Sequence, residues 1–286
     1  MHNKPNISEI IPGQDMNIGH GFRAKHFDED SFNSLIDPVV MLDHFHMSAP
    51  TFAPHPHAGI SAVTYLFEDS TGPHINYDSL GNNIPIYPGD IHWFVAGRGA
   101  VHNEQPEDDN SHVHALQIFI NLPASKKMIA PYAVHADAAD IPEYLAHGIR
   151  VRVVTGEYRG LRSPAVLPEP FTLLDVFLSA DTIFEYSLPA GWNAFVYCVQ
   201  GAVSLSADTD TYSDLLILKE TNAVGIGGDA TSLRLATENI AHFVILSGPS
   251  LNEPLLKHGP FVMNTQEQMN QTITNFKNGI FGQITG

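Results

Sequence analysis

Short runs rich in β-branched and aromatic residues, each closed off by glycine, proline, asparagine or aspartate, constrain this chain more than any other feature. They fall at 38–42, 61–67, 91–95, 116–120, 149–154 and 243–246. Apolar runs of that length with that punctuation form strands rather than helices, so the fold is expected to be dominated by β-structure. Helical periodicity is convincing only near the end. There Thr265 can cap with Gln268, and Met269, Ile273 and Phe276 recur at i, i+4 and i+7. Gly279 would stop that helix. Its narrow apolar stripe must pack on something, so it reads as a brace laid across a sheet.

At 286 residues the chain is long enough for two domains with sizeable cores. A polar, alanine-rich stretch at 123–143 lacks strand pattern and reads as the connection between halves. This predicts a division into residues 1–133 and 134–286, with the terminal helix in the second part. An internal comparison supports two copies of one unit. Laying 58–67 over 190–199 matches Ala58 with Ala190, Gly59 with Gly191, Ala62 with Ala194 and Tyr65 with Tyr197 at one constant offset. Gly89-Asp90 has a later counterpart in Gly228-Asp229. Under the first offset His55 and His57 fall on Ser187 and Pro189, so the second copy lacks that pair of donors.

The balance of 14 basic against 31 acidic residues, a formal charge of -17, would repel phosphate backbones and anionic lipid surfaces. Direct nucleic-acid or membrane binding is therefore not expected, while a protein partner is compatible with the charge. The single cysteine, Cys198, lies in an apolar run and reads as a buried strand residue. Residues 1–5 carry no apolar signal core, and no apolar stretch reaches eighteen residues, which predicts a soluble, cytoplasmic protein.

The chemistry concentrates in two triplets, His55-Pro56-His57 and His102-Asn103-Glu104. Along a strand, positions i and i+2 face the same side and lie roughly 6 to 7 Å apart, so each triplet presents two donors together. Four such donors can converge on one ion at about 2.1 Å per nitrogen. Three imidazoles and one carboxylate suit a first-row transition metal. Two other H-x-H pairs, His44-Phe45-His46 and His112-Val113-His114, have no partner triplet of suitable spacing. They read as residues near a barrel mouth and at a strand start. A purely structural reading of the 55/57/102/104 set is also open, in which a bound ion cross-links strands and its binding energy appears as folding stability.

Read in order, Asp37-Pro38, Leu42-Asp43-His44-Phe45, His55-Pro56-His57-Ala58-Gly59, Val63-Thr64-Tyr65, Pro88-Gly89-Asp90, Trp93, Ala96-Gly97-Arg98-Gly99 and His102-Asn103-Glu104 resemble the pirin family. So does His258-Gly259-Pro260-Phe261-Val262-Met263-Asn264-Thr265 at the far end. That family is a branch of the two-barrel cupin proteins. The resemblance implies two cupin-type β-barrels (a bicupin) with a C-terminal helix. It also implies one non-haem iron in the N-terminal barrel, with ligands matching His55, His57, His102 and Glu104, and a metal-free second barrel. Several members act as quercetin 2,3-dioxygenases, and eukaryotic members are linked to transcription factors. Where the family commonly carries an arginine and a glutamate after the first ligands, this chain reads Ala58-Gly59-Ile60-Ser61-Ala62, and His92 stands where a glutamine is common.

The function expected from these residues is dioxygenation of a small aromatic or polyphenolic enediol, with Glu104 accepting the substrate's proton. Phe52, Val63, Tyr65 and Phe119 are expected in the cavity wall, and His92 near the substrate. The alternative is a metal- or redox-sensing protein that regulates a protein partner. One divalent ion is expected, Fe(II) before all others, although nickel, copper, zinc or manganese could enter the same donor set.

Overall fold

The computed structural model describes residues 6–208, 215–227 and 230–284. The Gly228-Asp229 half of the second repeated dipeptide lies outside them. Every strand expected from the sequence is present, in general longer than its apolar run: Val39–Met47, Ile60–Leu66, Ile91–Val95, Val113–Asn121, Ile149–Thr155 and Ala241–Pro249. The fold is the two-domain cupin type, each domain a pair of antiparallel sheets rather than a closed cylinder. No described helix is long and apolar enough to cross a membrane.

The chain divides into two compact units that are not contiguous in sequence. One contains residues 14–26, 40–138 and 251–286, and the other contains 1–13, 27–39 and 139–250. A single cut at 133/134 would put the terminal helix with the second barrel, whereas residues 251–286 group with the first.

In the first unit, a seven-stranded sheet runs Tyr132–Ala136, Ile91–Val95, Ile60–Leu66, Val113–Asn121, Val39–Met47, Phe22–Asp28, Gln14–Ile18. A four-stranded sheet runs His55–His57, Ala100–Pro106, His74–Asp78, Asn83–Ile86. The stretch expected to connect the halves instead supplies an edge strand at 132–136 and an anchor, Lys127. The Lys127 ammonium is fully buried and donates to Gly59 O at 2.8 Å, Asn121 Oδ1 at 2.6 Å and Val262 O at 2.9 Å. Three acceptors meet its three N–H groups, which is what lets a lysine sit where burial alone would forbid it.

Helix α1 (Gln266–Lys277) forms where its periodicity places it. Thr265 and Gln268 make a reciprocal capping box, and Asn278 caps the other end. Its buried Met269 packs with Ala58, Val101, Phe261, Met263 and Phe281. The helix therefore braces the sheet that carries the two triplets.

The second unit repeats the strand order. Its larger sheet runs Asn222–Gly227, Trp192–Gln200, Ala241–Pro249, Thr172–Leu178, Ile149–Thr155, Glu143–Ala146, with two short N-terminal strands added at the Asn222–Gly227 edge. Trp192–Gln200 is thus the counterpart of Ile60–Leu66, as the repeat implies. Its interior is filled by Phe184, Tyr186, Leu188, Leu233, Leu235 and Phe243, all buried. Cys198 is buried in the central strand, and burial pushes its thiol up to about 12.

Candidate metal centre

The strand His55–His57 lies antiparallel to Ala100–Pro106, with His55 opposite His102 and His57 opposite Ala100. Directly opposed residues share a face, as do residues two apart, so His55, His57, His102 and Glu104 all leave this sheet on one side. The three imidazoles pack edge to face, with ring centroids 4.7 to 5.0 Å apart. Their ligating nitrogens lie within 4.8 Å of one another. Nitrogens bound to a common ion at about 2.1 Å sit roughly 3 to 3.5 Å apart, so small ring rotations close the cluster on a metal.

Glu104 borders this trio. Its Oε1 is 4.0 Å from His102 Nδ1 and its Oε2 is 3.9 Å from His74 Nε2. The Thr64 hydroxyl, arriving from the opposite sheet, donates to Oε2 at 2.6 Å.

The donors fit a cation. His55 Nδ1 donates to Ala53 O at 3.0 Å, which leaves Nε2 with a free lone pair. His102 Nδ1 and the ring nitrogens of His57 are buried without a hydrogen-bond partner of good geometry, the Pro260 carbonyl being the backbone group that approaches His57. Buried polar atoms left in this condition cost free energy unless something binds them. Burial pulls His57 down to about 3, with His55 adding to the effect, and holds His102 well below its ordinary value. His55 is lowered too, by partial burial. All three rings are therefore neutral at pH 7, the form that ligates. Burial raises Glu104 to about 7, against the Thr64 hydrogen bond.

The cluster opens into a cavity of about 150 Å³, walled by Phe22, Met41, Asp43, Phe45, Met47, Phe52, His74, Gln117 and Phe119 besides the four expected donors. His57 meets Phe119 edge-on at 4.9 Å, and Phe52, 37% exposed, stands edge-on to Phe22 at 5.0 Å by the mouth. Phe52 and Phe119 both line this cavity.

Val63 and Tyr65 are not in the wall. Thr64 points at Glu104, so its two neighbours must point to the other face of the strand. His92 lies opposite Thr64 and is fully buried, yet its ring packs beside His135 rather than on the cavity, and burial lowers it to about 3. Among the residues that sequence reasoning missed, His74 stands out. Burial takes it down to about 3, and it shares the donor face on the strand paired directly with Ala100–Pro106. Only the register of His74–Asp78 against Ala100–Pro106 reveals that. Alternation along Val39–Met47 could have flagged Met41, Asp43, Phe45 and Met47 as one face.

A two-domain cupin-like β fold with a buried histidine cluster in its first unit defines the class. The chain belongs to the pirin family: the family model described as Pirin matches residues 14–120, and the Pirin C-terminal cupin domain matches 173–282. A putative pirin-like protein of Arabidopsis thaliana is 35% identical over 253 residues, covering 88% of this chain and 91% of its own. Mouse pirin is 35% identical over 244 residues, covering 85% of this chain and 82% of its own. A crystal structure of quercetin 2,3-dioxygenase from Acinetobacter baumannii superposes with a TM-score of 0.86 at 27% identity, covering 99% of this chain and all of the other (100%).

Proposed function

We propose that this protein is a metal-dependent dioxygenase of the quercetin 2,3-dioxygenase type, with His55, His57, His102 and Glu104 holding one Fe(II). The observation that carries the reading is the meeting of three neutral imidazoles inside a mainly apolar cavity, beside a carboxyl group. The structural likeness to an enzyme named quercetin 2,3-dioxygenase supports it. Fe(II) would supply Lewis-acid charge that lowers the pKa of a substrate hydroxyl, together with redox chemistry towards dioxygen.

The chain's own groups do the rest. Glu104, a buried carboxyl group 4.0 Å from His102 Nδ1, is placed to take the hydroxyl proton. Thr64 fixes the orientation of that carboxylate, and Phe22, Phe45 and Phe119 exclude water from the reacting face. Pockets for drug-sized ligands usually measure 300–1,000 Å³. A cavity of about 150 Å³ therefore favours a small aromatic enediol, with a full flavonol requiring Phe52 to swing from the mouth.

The same small cavity also favours a second reading, a metal- or redox-sensing protein whose acidic surface, with a formal charge of -17, meets a basic patch on a partner. One experiment separates the two. Protein purified anaerobically is analysed for metal and then screened against small polyphenols with an oxygen electrode. Oxygen uptake that disappears together with iron in His57→Ala supports the enzyme. Full activity in metal-free protein overturns it, and no turnover across the panel with metal bound favours the sensor.

A further inference from the structure

The seven-stranded sheet carries histidines on both of its faces. On Val39–Met47 the cavity takes Met41, Asp43, Phe45 and Met47, so His44 and His46 project from the opposite face. On the neighbouring strand Val113–Asn121 the cavity takes Gln117 and Phe119, so His114 projects away with them. Strand pairing thus brings the His44/His46 pair beside His114, 70 residues from His44 in the chain.

We propose that His44, His46 and His114 form a second binding site for a zinc-class divalent cation, on the face of the sheet opposite the His55/His57/His102 cluster. Their ligating nitrogens lie within 4.8 Å of one another. His44 Nε2 is 2.6 Å from His114 Nε2, and the His46 ring lies parallel to that of His114, 8° off and 4.4 Å away. Two imidazole nitrogens in that contact share one proton, and a cation replaces the proton when the pair opens to roughly 3.3 Å, the edge of a tetrahedral zinc site.

A carboxylate completes the pattern. Asp69 Oδ1 accepts from His114 Nδ1 at 2.7 Å, which fixes the ring orientation and leaves Nε2 as the lone-pair nitrogen. Metal-binding histidines are held in this way by carboxylates, and loss of the carboxylate typically weakens metal binding 10–100-fold. His46 is kept neutral by partial burial, then by His114 and Arg23, with Asp69 acting in the other direction. His44 is buried while His46 and His114 are half-buried, so the trio has a closed side and a wet side. His46 also belongs to the wall of a cleft of about 460 Å³ lined by Asn17, His20, Arg23, Ser48 and His112. Water from that cleft would fill the fourth coordination position, leaving an open rather than a sealed site.

The test is a Co²⁺ titration of metal-free, full-length protein, read by calorimetry and by the visible absorption of the bound ion. Wild type should take up two equivalents. His57→Ala should retain one, and His46→Ala should retain the other with the signature of the first cluster unchanged. Asp69→Asn, at an exposed position that does not threaten folding, should weaken only the second equivalent, by 10–100-fold. A single equivalent in wild type that His57→Ala abolishes would overturn the site. So would two equivalents that survive both His46→Ala and Asp69→Asn with unchanged affinity.

Discussion

The hydroxyl of Thr64 reaches across the first barrel to Oε2 of Glu104 at 2.6 Å, tying the carboxyl group that borders the histidine trio to the opposite sheet. The bond favours the charged carboxylate and holds back the rise that burial imposes on it. Thr64→Val keeps the volume and removes the donor. In the metal-free protein Glu104 should then titrate higher than it does now, since burial remains and the opposing hydrogen bond is gone. NMR titration of the carboxyl group in chelated wild type and variant measures the difference, and an unmoved Glu104 would show that the Thr64 hydroxyl does not govern it.

The metal-free protein should be acid-sensitive before it is acid-denatured. His57, His74 and His92 are each held near 3 by burial, against about 6.5 in an unfolded chain. Between those values the unfolded state binds protons that the folded state refuses. Stability is therefore complete above pH 6.5 and declines as pH falls towards 3, by roughly 1.4 kcal/mol per pH unit per histidine. Glu104 works with the opposite sign. Its raised folded value adds stability below about 4.5 that is lost as pH rises through 7, offsetting about one histidine over that window. Urea midpoints of chelated protein at pH 7.5 and 5.0 measure the net loss, and equal midpoints would contradict this burial pattern.

The repeated Ala-Gly dipeptide gives a matched pair of substitutions. Gly59 and Gly191 share the left-handed conformation, with φ of +76° and +77°. A methyl group at Gly191 meets nothing within 4 Å, whereas at Gly59 it would stand 1.8 Å from the Val262 carbonyl oxygen. Gly191→Ala should cost about 1–2 kcal/mol for the backbone alone. Gly59→Ala should cost roughly 3 kcal/mol or more, because the chain must move apart, and should displace His57 two residues away. Chemical denaturation and metal content of the two variants give the comparison.

Phe52 stands at the mouth, 37% exposed and edge-on to Phe22. Phe52→Ala should widen entry, lowering KM for bulky polyphenols several-fold while leaving a small enediol nearly unchanged. The cost in stability should be about 1 kcal/mol, since little of that ring is buried on all sides. Identical selectivity in variant and wild type would remove Phe52 from the entrance.

Much of this arrangement was legible in the chain. Strand runs, the capped helix and the duplicated unit rest on local pattern, and local pattern is what side-chain periodicity encodes. The two triplets announced the histidine trio because i and i+2 donors on paired strands must share a face. Parity also explains the errors. Val63 and Tyr65 sit one residue either side of Thr64, and a shift of one position sends a side chain to the opposite face. Nothing local says which face is inside when a strand such as Ile60–Leu66 is buried throughout.

Composition, strand content and the cap of the final helix were settled by the amino-acid order alone, and the two donor triplets were legible in it, since each depends on residues close along the chain. Tertiary pairing decided the remainder. It brought His74 to Glu104, His114 to His44 and His46, and helix α1 to the sheet of the first barrel. Each of these contacts depends on register between strands remote in sequence, or on which surface a long connection covers, and register is chosen by the packing of the whole sheet.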